Sequence, residues 1–587
     1  MSVLPLRLPL RPRTSLTALA AVSALVLAGC GGGDAPSPEQ QFADALAGGN
    51  VQAAADLTSD PAAASAAITA MFDGLGAQVH SFTVSTGGDA FTLEADWDFG
   101  DGRDWTYSTN GTLVNLDGQQ KLSWTPELLV PELGADSTVR FTPTTGRPPE
   151  VRAADGRPIM AEQMVTLVNL QPSADPAAVA PLLTPIVPTI TAESLRGELA
   201  KADGKPTTAI TLRESDIAPI RDRLSAIPGV DLAQQTRLLT VDRALASPVF
   251  GDLANVWQAG QDASAGWAVQ MVGPDGTARR LAGRDAAPAP MIDTTLDLRL
   301  QTAAEDALAG VAQPAAIVAL QPSTGAVLAV AQNAAADAQG AIALTGLYPP
   351  GSTFKTVTTS AAVQAGKVTP DTVLPCPGTE NVEGRQIPND DNFDLGSVPL
   401  HSAFAHSCNT TMARLAVSLP PDALQQAALQ FGLGVDYTTP GLTTVTGTVP
   451  SADTPAERVE SAIGQGEVTA SPFGMALVAA SIAHGSTPAP MIIAGQPGAA
   501  DRSVAPVPAT VGEDLRAMMR ETVTDGTARV LADLPNLEGK TGTAEYGVGT
   551  GSHGWFVGID NDLAFAVFVA GADSSGPALD AAGRFLR

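Results

Sequence analysis

The sequence predicts a multidomain α+β protein whose carboxyl-terminal half is an α/β domain, an antiparallel sheet flanked by helices. At 587 residues the chain is too long for one hydrophobic core, so we expect three or four domains. Its 44% hydrophobic and 16% charged residues are typical of globular proteins. A formal net charge of -28 argues against a nucleic-acid binder, because phosphate contacts require clustered Lys and Arg.

The first thirty residues are typical of an export signal. A segment with three arginines precedes the apolar run 15–29, which is too short to favour a membrane-spanning helix. The run ends in LAGC, which resembles the bacterial lipoprotein cleavage box and implies a lipid on Cys30. Residues 1–29 would then be the signal peptide, and residues 30–38 a flexible linker. The alternative is an ordinary signal peptide with an incidental cysteine.

Two α+β domains are expected before the carboxyl-terminal one. In residues 39–138, two stretches of helical periodicity precede strands that alternate apolar and polar residues around Asp-Gly turns, which predicts antiparallel hairpins. Two helices followed by a curved sheet predict a cone-like shape. Residues 139–290 mix charged helices with short strands and contain no motif that suggests chemistry, which predicts a spacer.

The pattern changes in residues 291–587. Thr295 precedes an amphipathic helix that Gly310 ends, and residues 315–332 read as a strand, a turn and a second strand. A helix is predicted over Ser352–Gln364. Further predicted elements are a helix over 471–485, strands over 553–560 and 563–571, and a terminal helix over 578–587. Helices between the first and last strands of an antiparallel sheet predict a layered α/β domain.

The cysteines and histidines bear on covalent and metal chemistry. With Cys30 taken by lipid, Cys376 and Cys408 remain, and two thiols in an oxidising compartment often pair. A disulfide is the favoured expectation, and two buried free thiols are the alternative. The chain has no H-x-x-x-H pair and no C-x-x-C, so no metal is predicted, and nothing in the sequence indicates a cofactor.

Three polar clusters fall in the last domain. YPPGSTFK places Lys355 three residues after Ser352, so on a helix the ammonium can reach the hydroxyl. The second cluster is Ser407-Cys408-Asn409, and the third is KTGT, where a strand should begin. The chain has six lysines, and two of them lie in these clusters, which makes coincidence a poor explanation. The third cluster consists of Lys540, Thr541, Gly542 and Thr543.

The three clusters, in this order, resemble the motif set of serine acyl-transferases that react with penicillin. The segments TTLDLRLQTAAEDAL, IGQGEVTASPFGMA and HGWFVGI resemble the monofunctional (class B) penicillin-binding transpeptidases, so the resemblance spans 291–587. WTPELLVPEL resembles the junction in the methicillin-resistance type, which implies a nuclear transport factor 2-like domain over 39–138 and a dimerisation or pedestal domain over 139–290. One departure is GRPPEVRAADGRPI, a degraded form of the usual pedestal motif.

The resemblance implies a role for each cluster residue. Ser352 is expected to be the nucleophile and Lys355 its general base, which requires the lysine pKa to fall from about 10.4 towards 7, a bias of roughly 4 kcal/mol. Ser407 would relay a proton to the leaving amine, and Asn409 would bind Lys355 and the substrate amide. Lys540 would be the second cation near Lys355 and would contact the substrate carboxylate. Thr541, Gly542 and Thr543 would contact the substrate. The backbone N–H groups of Ser352 and Thr543 would form the oxyanion hole.

The implied function is a peptidoglycan D,D-transpeptidase that cross-links stem peptides through a serine acyl-enzyme and is acylated by β-lactams. The implied location is the outer face of the bacterial cytoplasmic membrane, held by the lipid on Cys30. Stem peptides, β-lactams and candidate cell-division or elongation proteins are the expected partners; no nucleic acid is expected. A D,D-carboxypeptidase or a serine β-lactamase would use the same Ser and Lys residues, and a non-catalytic β-lactam sensor or scaffold is a further alternative.

Overall fold

The computed structural model describes residues 36–76, 79–546 and 551–587. The predicted signal peptide and Cys30 lie outside these residues. The chain divides into two compact units, one up to Pro143 with Trp267–Arg284 and the other formed by Thr144–Gly266 and Asp285–Arg587. No helix in the described part of the chain has the length and apolar character needed to cross a membrane.

The first unit has three helices followed by antiparallel strands, one helix more than predicted, because the first predicted helix is interrupted at Gly48 and Gly49. One sheet has the order β1-β2-β3-β4, and a second has the order β11-β10-β5. Helix α3 begins where the Asp60 side chain accepts the Ala63 N–H and ends at Gly76, whose φ is 56°. The elements are α1 Pro38–Ala47, α2 Val51–Asp56, α3 Pro61–Leu75, β1 Val79–Gly87, β2 Ala90–Asp98, β3 Asp104–Leu116, β4 Gln119–Leu122, β5 Thr138–Thr144, β10 Gly266–Val272 and β11 Ala278–Arg284.

The core of the first unit draws on residues far apart in the sequence. Alternate residues of β2 from Phe91 to Trp97 are buried in one core with residues of α1 and α3, as the strand period of two requires. Trp267, Val269 and Met271 of β10 join the same core. The sequence analysis instead predicts that these three residues belong to the spacer. Strand periodicity identifies a strand but does not identify the strand that pairs with it.

The second unit begins with a sheet of order β12-β6-β7-β8, and β9 pairs along β7. Trp257 of α8 donates its indole N–H to the Pro149 carbonyl at 2.8 Å, which fixes that helix to the start of the unit. The elements are β6 Val151–Arg152, β7 Pro158–Leu170, α4 Pro176–Leu183, α5 Ala192–Lys201, β8 Thr207–Arg213, α6 Glu214–Ile217, α7 Arg221–Ser225, β9 Val230–Thr240, α8 Phe250–Ser264 and β12 Ile292–Asp293.

The rest of the second unit is built on a five-stranded antiparallel sheet of order β14-β13-β25-β24-β23. Alternate residues of β13 face opposite cores: Val318 packs with α17, and Ile317 packs with α9 and α19. This confirms the predicted layered domain. The elements are α9 Leu298–Leu308, β13 Ala315–Leu320, β14 Val327–Gln332, α17 Pro472–His484, β23 Leu537–Tyr546, β24 Gly551–Asp560, β25 Leu563–Val569 and α19 Gly576–Leu586.

Most of the remaining elements are inserted between β14 and β23. Helix α17 is buried from Pro472 to Ile482 because it passes under the sheet, with Ser471 as its N-cap. The other inserted elements are α10 Ala334–Asp337, α11 Ile342–Thr345, α12 Lys355–Gln364, β15 Val373–Cys376, β16 Thr379–Val382, β17 Arg385–Pro388, β18 Gly396–Pro399, α13 Leu400–Ala405, α14 Asn409–Val417, α15 Ala423–Gln430, β19 Tyr437–Thr438, β20 Gly447–Thr448, α16 Pro455–Ala462, β21 Thr469–Ala470, β22 Ala499–Ala500 and α18 Ala509–Thr524.

Two local details differ from the sequence prediction. Helix α9 is capped by Asp297, whose carboxylate accepts the Arg299 and Leu300 N–H groups, whereas the Thr295 hydroxyl donates to the Val327 carbonyl. The predicted helix at Ser352 is a 3₁₀ turn, Gly351–Phe354, that leads into α12 at Lys355. Both differences arise at helix starts, where side-chain contacts decide the boundary.

Candidate active site

The turn Gly351–Phe354 packs against β23, the last strand of the sheet. Gly351 has a φ of 55°, and a Cβ there would lie 2.6 Å from the Thr543 carbonyl oxygen. A Cβ on Gly542 would lie 2.9 Å from the Pro350 carbonyl oxygen, so a glycine is needed on both sides of the contact. Ser352, which is half-buried, is thereby held beside the KTGT segment.

Lys355 is fully buried, and its Nζ is surrounded by oxygens of the second cluster. It donates to the Ser407 carbonyl at 2.6 Å, to the Ser407 Oγ at 3.0 Å and to the Asn409 Oδ1 at 2.6 Å. Burial first, and the Lys540 charge second, hold the pKa of Lys355 well below its ordinary 10.5, while the Asp390 carboxylate acts in the opposite direction.

Lys540 is also fully buried and approaches the same serine from β23. Its Nζ donates to the Ser407 Oγ at 3.0 Å and to the Thr541 carbonyl at 2.9 Å, and it lies 5.8 Å from the centre of the Phe404 ring. Burial lowers the pKa of Lys540 to about 7. Two buried amines therefore share one hydroxyl oxygen, which favours loss of a proton from the pair.

Ser407 takes an unusual backbone conformation to reach both lysines. Its φ is 63°, a left-handed value that is uncommon for residues other than glycine. The turn is fixed by two backbone bonds, from Ser407 N–H to the Phe404 carbonyl and from Cys408 N–H to the Ala403 carbonyl, at 2.9 and 2.8 Å. This conformation directs both the hydroxyl and the carbonyl oxygen of Ser407 towards Lys355.

Cys408, between Ser407 and Asn409, forms a disulfide with Cys376, the last residue of β15. Both cysteines are fully buried. Of the two alternatives that the sequence leaves open, the structure contains the disulfide. It joins the segment that carries Ser407 and Asn409 to a strand 32 residues earlier in the chain.

The KTGT segment lies inside β23, paired with β24 so that Thr543 faces Gly554. The Thr541 and Thr527 hydroxyl oxygens are 2.6 Å apart, and Thr543 is half-buried. Arg520 of α18 donates to the Leu537 carbonyl at 2.6 Å, which holds the start of the strand. Thr527 and Arg520 belong to no recognisable motif, and no sequence signal indicates that they lie here.

His553 of β24 is a further titratable group near this strand. Its Nδ1 accepts the Gly571 N–H at 3.2 Å, and its ring stacks on Tyr546 with centroids 4.3 Å apart. Burial lowers the pKa of His553 to about 4, so the imidazole is neutral at pH 7. Its contacts are those of a packed aromatic side chain.

In the described ranges, no three His, Cys, Asp or Glu side chains lie close enough together to bind a metal ion. The structure instead brings the three clusters together: a half-buried serine, two buried lysines, a bridging serine and an asparagine. A layered α/β fold with this set defines the class of serine acyl-transferases that use lysine as the base.

Comparison with known proteins agrees with that class. Residues 315–586 match the penicillin-binding protein transpeptidase domain. The chain is 30% identical to peptidoglycan D,D-transpeptidase PbpA of Mycobacterium tuberculosis over 357 residues, covering 50% of this chain and 71% of PbpA. It is 28% identical to peptidoglycan D,D-transpeptidase MrdA of Acinetobacter baumannii over 312 residues, 46% of each chain.

The chain therefore belongs to the family of penicillin-binding protein transpeptidases, and the predicted transpeptidase class is confirmed. Among solved structures, penicillin-binding protein 2 of Helicobacter pylori, in complex with MreC, matches with a TM-score of 0.57 at 16% identity. That match covers 76% of this chain and 98% of the H. pylori chain, and it shows a shared fold.

Proposed function

We propose that this protein is a peptidoglycan D,D-transpeptidase that cross-links stem peptides through an acyl-enzyme on Ser352. The observation that carries the assignment is the convergence of two buried lysines on Ser407, each Nζ 3.0 Å from its Oγ. Ser352 lies in the turn immediately before Lys355. A buried lysine with a lowered pKa is the base that a serine nucleophile requires near pH 7.

The protonation state of Lys355 decides its role. An ammonium has three hydrogens, one for each of its three acceptors on Ser407 and Asn409. A neutral amine has two hydrogens and a lone pair, and we assign that lone pair to the Ser352 hydroxyl. Burial and the Lys540 charge both favour the neutral form.

Acylation then follows from these positions. The Ser352 Oγ attacks the carbonyl carbon between the last two D-alanines while its proton moves to Lys355. The C–N bond breaks, and the departing D-alanine amine takes a proton through the Ser407 hydroxyl, which both lysines contact. The donor peptide remains as an ester on Ser352. An acceptor amine then attacks the ester carbonyl, its proton passes through Lys355 to the Ser352 Oγ as the ester C–O bond breaks, and the new amide bond is the cross-link.

Charge stabilisation in this reaction comes from β23 and the turn. The Ser352 and Thr543 backbone N–H groups are assigned to the oxyanion, because Gly351 holds the turn against Thr543. Lys540, with the Thr541 and Thr543 hydroxyls, is assigned to the substrate carboxylate. A cation on Lys540 at the moment of binding serves both the carboxylate and the neutral state of Lys355.

Four finer assignments complete the proposal. Residues 39–138, joined by Trp267–Arg284, form a nuclear transport factor 2-like domain of the methicillin-resistance type, and the rest of residues 139–290 forms a pedestal. The helices and antiparallel sheet of the first unit support the former. Cys30 carries the lipid that holds the enzyme at the outer face of the cytoplasmic membrane, and the likeness to an MreC-bound relative makes elongation proteins candidate partners.

The lifetime of a fluorescent penicillin adduct separates the transpeptidase from a β-lactamase. A transpeptidase gives an adduct that persists on the protein and is absent from Ser352→Ala. Rapid turnover of a chromogenic cephalosporin without a persistent adduct would contradict the proposal.

The molecule that accepts the acyl group distinguishes a transpeptidase, which uses an amine, from a carboxypeptidase, which uses water. Purified protein is incubated with a donor stem peptide and an amine acceptor, and products are resolved by mass spectrometry. We expect the cross-linked or amine-exchanged product to exceed the hydrolysed one. Hydrolysis alone, with acceptor in excess, would identify a carboxypeptidase that uses the same residues.

A further inference from the structure

Asn389 is a buried polar residue outside the three motifs. It lies between β17 and the turn Asp390–Asn392, and 2% of its surface is exposed. Asparagine at the start of a helical turn commonly caps that turn with its own side chain. Here the Asn389 side chain does not cap its own turn. Its Oδ1 instead accepts the backbone N–H groups of Asn409 at 2.8 Å and Thr410 at 3.2 Å, the first residues of α14.

The start of α14 lacks a cap of its own. The first N–H groups of a helix have no partner within it, and the residue before the helix usually supplies an oxygen. In α14 that residue is Cys408, whose sulfur is bonded to Cys376 and which makes no capping hydrogen bond. Asn389 therefore supplies, from a distant segment, the acceptor that the second motif does not contain.

The Asn389 amide group is held in one orientation. Its Nδ2 donates to the Pro377 carbonyl at 2.9 Å and to the Phe393 carbonyl at 2.9 Å. With two N–H groups accepted at its oxygen, the amide makes all four of its hydrogen bonds. A buried amide that is fully bonded is costly to move, because each lost bond leaves an unpaired polar group.

The same segment also orients the Asn409 side chain. The Pro388 carbonyl, one residue before Asn389, accepts the Asn409 Nδ2–H at 2.8 Å. That bond turns the Asn409 Oδ1 towards Lys355, and this oxygen accepts a hydrogen bond from the Lys355 Nζ at 2.6 Å. Pro388 and Asn389 thus hold Asn409 by its side chain and by its backbone.

We propose that Asn389 is a positioning residue for acyl transfer, which keeps the side-chain Oδ1 of Asn409 against the Lys355 amine. The inference rests on the proposed function, because Lys355 and Asn409 are its acylating machinery. The acceptors of the Lys355 amine are on Ser407 and Asn409, so Asn389 acts through Asn409.

A double-mutant cycle tests this role. Acylation of the full-length protein by fluorescent penicillin is timed for Asn389→Ala, Asn409→Ala and the double variant. We expect Asn389→Ala to slow acylation about 10- to 100-fold, and the double variant to be no slower than Asn409→Ala. The matched control is Asn381→Ala on the neighbouring strand, an exposed residue whose side chain accepts the Gly384 N–H, and it should react like the native protein.

A conservative variant guards against loss of folding. Asn389→Asp keeps an oxygen for the Asn409 and Thr410 N–H groups and gives up both donated bonds, so we expect it to recover most of the rate lost in Asn389→Ala. If Asn389→Ala does not fold, the same cycle is run with Asn389→Ser, whose shorter side chain withdraws the oxygen from the Asn409 and Thr410 N–H groups, and it must again be non-additive.

Two results would overturn the inference. One is a native rate in Asn389→Ala when Asn409→Ala is slow, and the other is a double variant in which the two losses multiply. Failure of the proposed function would look different, because Ser352→Ala would then label as well as the native protein.

Discussion

The KTGT strand and the Ser407–Asn409 segment contribute to the same site with different kinds of support. Lys540 and Thr543 lie within β23, paired along their length with β24. Ser407 and Asn409 lie at a turn and a helix start, held by a disulfide, by Asn389 and by the left-handed conformation of Ser407. A regular sheet supports the first group, whereas a few specific contacts between distant segments support the second.

This difference gives the two sides different vulnerabilities. A change on the strand side must disturb a backbone ladder shared by many residues, whereas one substitution on the segment side removes one of a few specific contacts. Lys355 is where the two sides meet, since Lys540 and Asn409 both act on it. Substitutions ordered by expected effect can test this contrast.

The largest effect is expected at the meeting point itself. Lys355→Met keeps the buried volume and removes the amine, so acylation by penicillin should slow about 10²- to 10⁴-fold. Stopped-flow or gel-based acylation kinetics measure the rate. Lys367→Met, at an exposed lysine beyond the end of α12, is the control and should match the native protein. If Lys355→Met is acylated at the native rate, Lys355 is not the general base.

The segment side should depend strongly on its disulfide. Cys376→Ser with Cys408→Ser opens the link between β15 and the second motif and should lower the free energy of unfolding by about 2–4 kcal/mol. Acylation should slow as well, since Ser407 and Asn409 flank Cys408. Urea denaturation and acylation rates measure both. Reductant should reproduce the loss in the native protein and leave the double variant unchanged.

On the strand side, Gly351→Ala tests the close contact between the turn and β23. The added Cβ would lie 2.6 Å from the Thr543 carbonyl at a φ of 55°, so we expect roughly 1–2 kcal/mol of strain and slower acylation. Gly366→Ala, at a φ of 64° with open space around the Cβ, carries the backbone strain without the contact. It should be destabilised less than Gly351→Ala and acylate normally. Equal rates in both variants would show that the contact is unimportant.

The smallest effect, taken per pH unit, is a pH dependence of stability from Lys540. Its folded pKa of about 7 lies below the ordinary 10.5, so from about pH 7 to 10 the unfolded chain holds a proton that the folded chain has released. The free energy of unfolding should therefore rise with pH there, by about 1 kcal/mol per pH unit. Urea denaturation at pH 7, 8 and 9 measures the slope. Lys540→Met should show a shallower slope, and an unchanged slope would contradict this assignment.

The sequence predicts the strand side better than the segment side. KTGT, the flanking apolar strands and the serine turn are local patterns, and the structure has β13, β14, β24 and β25 where they were expected. The contacts of Asn389, Thr527 and Arg520 arise only after folding brings distant segments together, and no spacing rule indicates them. Pairing of β10 with β5 escaped prediction for the same reason, because strand periodicity carries no information about partners.

The central claim is that Ser352 is the acylated nucleophile, and intact-protein mass spectrometry with peptide mapping after penicillin treatment tests it most directly. The native protein should gain the mass of one penicillin, located on Ser352. Ser352→Ala should gain none, whereas Ser360→Ala, at a buried serine further along α12, should react like the native protein. An adduct of native yield in Ser352→Ala, or one mapped to another residue, would contradict the account.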